Sequence, residues 1–144
     1  MLFRSVLQTI SKLRKQGFAF TLDWLGEAVV SEPEANAYKN SYLELLSGLS
    51  ETVNGWSEDH QIDWDDRGPI PRMNVSLKLS ALNSQFRPVD ASGTAETVKN
   101  RLRPILRRAQ KQMAHVQIDM EQYAYKNLTL AIVQDVLKIG RAHV

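Results

Sequence analysis

The chain has 144 residues, of which 43% are hydrophobic and 24% are charged, a composition typical of one globular domain and unlike that of a disordered protein. Its net charge of +2 is too small to indicate a nucleic-acid-binding surface unless the cations form one patch. The absence of cysteine excludes disulfides, thiolate catalysis and cysteine metal sites, and no apolar stretch approaches the roughly 20 residues that cross a bilayer. We therefore expect a cytoplasmic protein that is soluble or attached peripherally to a membrane.

Two elements are predicted before residue 25. The first segment is basic and contains no acidic residue, as transit peptides do, but its apolar residues share one helical face, which favours a helix. These residues are Val6, Leu7, Ile10 and Leu13. The second segment, FAFTLDWL, alternates apolar and polar positions, as a strand with one buried face does. Its apolar positions are Phe18, Phe20, Leu22 and Trp24, and Asp23 lies on the polar side.

A longer helix and a second strand follow. Ser31 and Glu34 have capping-box spacing, and Pro33 falls in the first turn. The apolar stripe of this helix consists of Tyr38, Tyr42, Leu45, Leu46 and Leu49. The strand is NVSLKLSAL, whose apolar positions are Val75, Leu77, Leu79 and Ala81. Lys78 therefore lies in the middle of the polar face, opposite Leu77 and Leu79.

Another helix, a third strand and a last helix complete the pattern. Thr94 is the predicted cap of the first of these helices, and Pro104 predicts a kink or a division into two shorter helices. Its stripe contains Val98, Leu102, Ile105, Leu106, Ala109 and Met113. The strand HVQIDME alternates Val116, Ile118 and Met120 with Gln117, Asp119 and Glu121. The last helix is expected after Asn127, with Leu128, Ala131, Ile132 and Val136 facing inward.

Strands that alternate with helices of this length predict an α/β fold with right-handed crossovers. Residues 18–23, 74–81 and 116–120 are expected to be adjacent parallel strands in that order. Because each keeps a polar face, the pattern favours a barrel with that face in the lumen over a doubly wound sheet. Asp23, Lys78 and Asp119 would then be neighbours at the carboxyl ends of the strands. On the pattern alone, a salt-bridge network or a solvated face is an equal alternative to a functional site.

Three segments together resemble the proline dehydrogenase barrel, in particular that of the bifunctional proline utilization A flavoenzymes. They are TLDWLGEAVVSEPEANAY, NVSLKLSAL and VQIDMEQYAYKNLTLAI, and the resemblance runs from about residue 11 to residue 137. It implies the first three βα units of a (βα)8 barrel, and FAD-dependent oxidation of L-proline to pyrroline-5-carboxylate. In such an enzyme, hydride passes from the ring carbon beside the nitrogen to the flavin, and an acceptor such as a quinone reoxidises the flavin.

The resemblance also implies roles for four residues. Lys78 matches the lysine that helps to hold the substrate carboxylate, and Asp119 matches an aspartate that lines the site. Glu27 matches a glutamate that pairs with a substrate-binding arginine, and Asp23 matches the acidic residue that closes strand one. That arginine and most flavin-binding residues come from later parts of the barrel, so the flavin-binding residues stay unknown here. We expect the 144 residues alone to be inactive and not to retain FAD.

Two functions of other classes remain as alternatives. In a Schiff-base lyase, Lys78 would attack a carbonyl while Asp23 or Asp119 moves protons. In a basic module, the helix after Thr94 would bind nucleic acid, although a solvated surface is the favoured interpretation of its cations and no nucleic-acid partner is predicted. These cations are Lys99, Arg101, Arg103, Arg107, Arg108 and Lys111.

Two remaining segments are predicted to carry no function. The segment around Trp56 and Trp64 contains five aspartate or histidine residues. Their spacing matches no known metal-binding loop, so we predict a solvated connection and no metal site. The five residues are Asp59, His60, Asp63, Asp65 and Asp66. The ends, residues 2–5 and 139–142, match translations of one sequencing adapter read on opposite strands. We therefore expect residues 1–144 to be a partial proline dehydrogenase domain in which about 6–137 are genuine and His143 has no function.

Overall fold

The predicted helices and strands occur in the predicted order, with one short helix and two short strands in addition between the second helix and the second predicted strand. The structure, a computed structural model, describes residues 3–25 and 29–141, and side chains as far as residue 138. The helices are α1 (Arg4–Lys15), α2 (Glu32–Asn54), α3 (His60–Asp63), α4 (Ala91–Lys111) and α5 (Lys126–Arg141). The strands are β1 (Leu22–Asp23), β2 (Trp64–Asp65), β3 (Gly68–Pro69), β4 (Met73–Leu77) and β5 (Ala114–Ile118). Short 3-10 turns lie at Leu79–Leu82, Pro88–Asp90 and Tyr123–Tyr125.

The main sheet is parallel and has the order β1, β4, β5. Leu22 lies opposite Val75, and β4 pairs along its whole length with β5, from Met73 opposite Ala114 to Leu77 opposite Ile118. The predicted α/β class with adjacent parallel strands in sequence order is therefore confirmed. The strands β2 and β3 form a separate antiparallel hairpin that the sequence did not predict.

β1 and β4 are shorter than predicted, whereas β5 has the predicted length but begins and ends two residues earlier. β1 contains only Leu22 and Asp23, and the predicted apolar positions Phe18 and Trp24 at its two ends are 58% and 37% exposed. β4 ends at Leu77, where the chain enters a 3-10 turn that buries Leu79 and Ala81 without strand pairing. The alternating apolar residues after Leu77 are therefore buried by a turn and not by a longer strand.

The core lies between the sheet and the helices α2 and α4. Val75 and Leu77 of β4 are fully buried, as are Tyr42 of α2 and Leu102 of α4. Burying one apolar side chain of this size stabilises a fold by roughly 1.5–3 kcal/mol. Because side chains alternate along a strand, Ser76 lies on the opposite face of β4, and Lys78, in extended backbone directly after the strand, continues that face. This face carries the charged groups described below.

The helix ends agree with the sequence at α2 and differ at α4. Ser31 caps α2 by accepting a hydrogen bond from the Glu34 amide at 3.3 Å, and all five predicted stripe residues of α2 are buried. At α4, Asp90 is the cap in place of Thr94, since it accepts from the Gly93 amide at 3.2 Å. Thr94 lies inside the helix and its buried hydroxyl donates to the preceding loop.

Three further details of the predicted helices can be compared with the structure. α4 runs unbroken through Pro104 from Ala91 to Lys111, which excludes the predicted division into two helices, one of the two alternatives at this proline. Met113 lies beyond its end, where a positive φ of 54° turns the chain and leaves the side chain 68% exposed. In α5, Ala131 is exposed, whereas Thr129 is buried beside Leu128.

The acidic segment is solvated as predicted at His60, Asp65 and Asp66, but Asp63 departs from that prediction. Asp63 is only 3% exposed, and its carboxylate accepts from the Arg14 guanidinium at 2.8 Å and from the Asp59 amide at 2.8 Å. Arg72 adds a second cation at 3.2 Å. These bonds connect α1 to the start of α3 and to the approach to β4. In the part of the chain that the structure describes, no group of acidic or histidine residues could hold a metal ion.

Several sequence predictions fall outside the described residues. They concern Glu27, His143 and parts of both terminal segments. Phe3 belongs to the end that we expect to be adapter-derived, yet it is 9% exposed and lies against Gly48 in the core. None of the described helices is both long and apolar enough to cross a membrane.

Candidate active site at the carboxyl ends of the strands

The carboxyl ends of the three parallel strands bring Lys78 between two aspartates. Its ammonium nitrogen lies 3.0 Å from Asp23 Oδ2, at the end of β1, and 3.4 Å from Asp119 Oδ2, just after β5. The Lys78 side chain is 19% exposed, and those of Asp23 and Asp119 are 36% and 25% exposed. The three residues predicted to be neighbours therefore form one partly buried cluster, which we call the lysine cluster.

The lysine cluster favours the charged form of Lys78. The pKa of Lys78 is raised, chiefly because the ammonium donates a hydrogen bond to Asp23, and Asp119 raises it further, while partial burial acts in the opposite direction. Lys78 is therefore a cation at neutral pH. A fixed cation suits the binding of an anionic group, whereas a Schiff-base lysine needs a lowered pKa and a free amine. This charge state opposes the lyase alternative.

Asp119 is held by groups on the polar face of the sheet. Its backbone amide donates to the Leu77 carbonyl at 2.9 Å, which continues the pairing of β4 with β5 by one residue. Its Oδ1 atom accepts from the Ser76 hydroxyl and, at 3.4 Å, from the Gln117 side-chain amide. Oδ1 is thus occupied by two donors while Oδ2 faces Lys78. The sequence placed Ser76 on the polar face but gave no signal of this contact.

Two buried tyrosines of α2 lie beside the lysine cluster and bind each other and its neighbouring backbone. The Tyr42 hydroxyl donates to the Ser76 carbonyl and accepts from the Trp24 amide at 3.1 Å. The Tyr38 hydroxyl donates to Tyr42 at 3.3 Å. Burial raises the pKa of both tyrosines, so both remain neutral donors. The helical stripe predicted both residues as core, and the Tyr42 hydroxyl also connects Trp24, the residue after Asp23, with Ser76, which holds Asp119.

Lys78 and Asp119 of the lysine cluster line a cleft of about 820 Å³. Its lining includes Ser80, Asn83, Glu121 and the aromatic pair Phe86 and Tyr125, whose ring centroids are 4.9 Å apart. Glu121 accepts from the Ser80 amide at 3.3 Å and from the Ser80 hydroxyl, which holds it against the 3-10 turn after Lys78. Among the described lining residues, Lys78 is the one cation. The cleft can therefore hold a small polar molecule with one anionic group near β4.

Two of the six cations of α4 form ion pairs in the described part of the chain. Lys99 lies 3.1 Å from Asp135, and Arg101 donates to the Leu82 carbonyl at 2.9 Å and pairs with Glu32. The contact with Arg101 lowers the pKa of Glu32 to about 2. These pairs reduce the positive charge available to a nucleic acid, in line with the favoured interpretation of this helix as surface.

The fold and the cleft define an α/β protein with a charged site at the carboxyl ends of parallel strands. The profile described as "Proline dehydrogenase" matches residues 6–143. The chain therefore belongs to the proline dehydrogenase family. This confirms the resemblance that the three sequence segments indicated.

Relatives of known identity agree with this membership. The chain is 30% identical over 128 residues to Proline dehydrogenase 1 of Bacillus subtilis strain 168, and 26% identical over 128 residues to the bifunctional protein PutA of Escherichia coli K12. Among solved structures it is similar to proline utilization A of Bdellovibrio bacteriovorus inactivated by N-propargylglycine, with 40% identity and a TM-score of 0.87 over 91% of this chain.

The chain spans a limited share of each relative. It covers 34% of the B. subtilis protein, 9% of the E. coli protein and 14% of the B. bacteriovorus chain, while 89% of its own residues align with each of the first two.

Proposed function

We propose that this chain is the N-terminal part of the (βα)8 barrel of an FAD-dependent proline dehydrogenase, and that Lys78 binds the carboxylate of L-proline. The observation that carries the proposal is the Lys78 ammonium fixed between Asp23 and Asp119, at 3.0 Å and 3.4 Å, at the mouth of the cleft. Membership of the proline dehydrogenase family supports proline as the substrate.

The geometry of Lys78 suits this role. An ammonium group has three N–H donors. Asp23 and Asp119 accept from it among the described residues, so one donor remains for an anionic group in the cleft. The two aspartates orient the ammonium and offset the cost of its partial burial. In this proposal Asp119 and Asp23 line the substrate site, and Glu27 pairs with an arginine from a later part of the barrel.

The described cleft does not fit the phosphates of FAD by itself. Phosphate groups are usually held by several cations or by the amides at a helix start, whereas the described lining offers one cation, Lys78, beside the carboxylates of Asp119 and Glu121. We therefore propose that residues beyond these 144 hold the cofactor. When bound, FAD would take up the two electrons that proline loses, and a quinone is the proposed final acceptor.

The proposal is tested in a chain that supplies the rest of the barrel. We define the complete enzyme as the B. bacteriovorus protein in which the present chain replaces the matching segment, a segment that is 40% identical. The complete enzyme is expected to hold a flavin and to convert L-proline to a product lighter by two hydrogens, detected by mass spectrometry. The unmodified B. bacteriovorus protein is the control. A folded, flavin-containing complete enzyme that leaves L-proline unchanged would contradict the proposal.

The isolated 144 residues are expected to behave differently. In the described part of the chain β5 pairs only with β4, which leaves its outer edge open, and exposed edges favour association. We expect the isolated chain to aggregate or to form a molten state and to bind no FAD. Thermal unfolding followed by circular dichroism and the flavin absorbance after gel filtration check this. A sharp cooperative transition together with retained flavin would contradict it.

A further inference from the structure

We propose that Ser76 is a positioning residue of the lysine cluster, because its hydroxyl fixes Asp119 so that the second carboxylate oxygen faces the Lys78 ammonium. The proposed residue is separate from those that contact the substrate. Its connection with proline oxidation rests on the function proposed above, whereas its effect on Lys78 depends only on the geometry of the described residues.

Ser76 is itself held in place from three sides. It lies in β4, between Asp23 of β1 and Gln117 of β5 in the strand register. Its carbonyl accepts from the buried Tyr42 hydroxyl, and the residue is 5% exposed. A hydroxyl on such a fixed backbone has few alternative positions. The Ser76 hydroxyl is therefore able to restrict the orientation of the Asp119 carboxylate, which lies just after the end of β5.

Because of the hydrogen bond from Ser76, the two carboxylate oxygens of Asp119 have different partners. Oδ1 accepts from the Ser76 hydroxyl, and Oδ2 lies 3.4 Å from the Lys78 nitrogen. Gln117 also donates to Oδ1, but at 3.4 Å and from an exposed side chain, so it restricts the carboxylate less. Without the hydroxyl, Asp119 would rotate more freely and spend less time near Lys78. The ammonium would then depend mainly on Asp23.

Other groups around Lys78 do not replace this contact. Asp23 reaches the ammonium from β1, and the Tyr38 hydroxyl of α2 accepts from the Lys78 backbone amide at 3.5 Å. Glu121 is bound to Ser80 by two hydrogen bonds. Ser80 and Glu121 thus form a second serine–carboxylate pair in the same cleft, which makes Ser80 a matched control for Ser76.

The experiment measures the acylation of Lys78 by limiting acetic anhydride in the complete enzyme. Only the uncharged amine reacts, so loss of a carboxylate partner increases the reaction at a fixed alkaline pH. The Lys78 peptide is quantified by mass spectrometry. Ser76→Ala is expected to increase the acylation rate by roughly two- to fivefold, the factor that corresponds to losing one partly exposed ion pair. Ser80→Ala is expected to leave the rate unchanged, and Ser76→Thr, which keeps the hydroxyl, to restore it.

A double-mutant cycle distinguishes positioning from a general loosening of the cleft. Asp119→Asn is expected to increase Lys78 acylation, and adding Ser76→Ala to it is expected to produce no further increase, because the hydroxyl acts through Asp119. An unchanged or slower rate in Ser76→Ala, or additive effects in the cycle, would overturn the proposal. Since this measurement does not use proline, it gives the same answer whether or not the complete enzyme oxidises proline.

Discussion

Replacement of Lys78 by methionine in the complete enzyme is expected to raise the KM for L-proline or to lower turnover by about tenfold or more. A hydrogen bond between charged groups contributes roughly 1.5–3 kcal/mol, which corresponds to at least about tenfold in kcat/KM. The substitution also removes the cation shared by Asp23 and Asp119, so two carboxylates would remain without it, and Asp119 is one of the residues that line the cleft. Steady-state kinetics over a range of proline concentrations measure the effect.

The control for this prediction is Lys99→Met. Lys99 also pairs with a carboxylate, that of Asp135 at 3.1 Å, but it lies on α4 and outside the cleft lining. Its substitution is expected to leave both kinetic constants unchanged. If Lys78→Met has wild-type kinetics, Lys78 does not belong to the substrate site.

Replacement of Asp63 by alanine is expected to cause the largest loss of stability, about 3–5 kcal/mol in the free energy of unfolding of the complete enzyme. Asp63 is 3% exposed and pairs with Arg14 and Arg72, so its removal leaves two partly buried guanidinium groups without their carboxylate. Urea unfolding at neutral pH measures the loss. The exposed neighbour Asp66 is the control, and Asp66→Ala is expected to change the free energy by less than about 0.5 kcal/mol.

The contribution of Asp63 should also depend on pH. The Arg14 guanidinium lowers the pKa of Asp63 from 3.8 to about 2 in the folded protein. A carboxyl group whose pKa is lowered on folding stabilises the protein above its unfolded pKa, and this stabilisation is lost as the pH falls through the folded pKa. The stability difference between wild type and Asp63→Ala is therefore expected to shrink as the pH is lowered from about 4 to about 2. A difference that is constant over this range would contradict the ion-pair explanation.

The sheet order and the lysine cluster could be predicted because they follow from local patterns. Alternation in NVSLKLSAL places Lys78 opposite Leu77, and parallel strands bring their carboxyl ends to one edge. The alternation did not predict where β4 ends, because Leu79 and Ala81 continue it but are buried by a 3-10 turn. Nor did it distinguish Thr94 from Asp90 as the cap of α4, because both residue types favour that position.

The contacts that could not be predicted join residues distant in sequence. Asp63 is buried because Arg14, 49 residues away, supplies a cation. The Ser76 hydroxyl meets Asp119 across 43 residues, and nothing in NVSLKLSAL separates it from a serine that faces water. Such contacts depend on strand register and on how each helix returns to the sheet, which are set by the packing of the whole core.

The central claim, that Lys78 binds the proline carboxylate, is tested most directly by comparing L-proline with pyrrolidine, which has the same ring and no carboxylate. The ratio of kcat/KM for L-proline to that for pyrrolidine is measured in the complete enzyme and in its Lys78→Met variant. Because the lysine would contact only the carboxylate, the ratio is expected to fall by about tenfold or more in the variant. A ratio that stays the same while both substrates slow equally would contradict the claim.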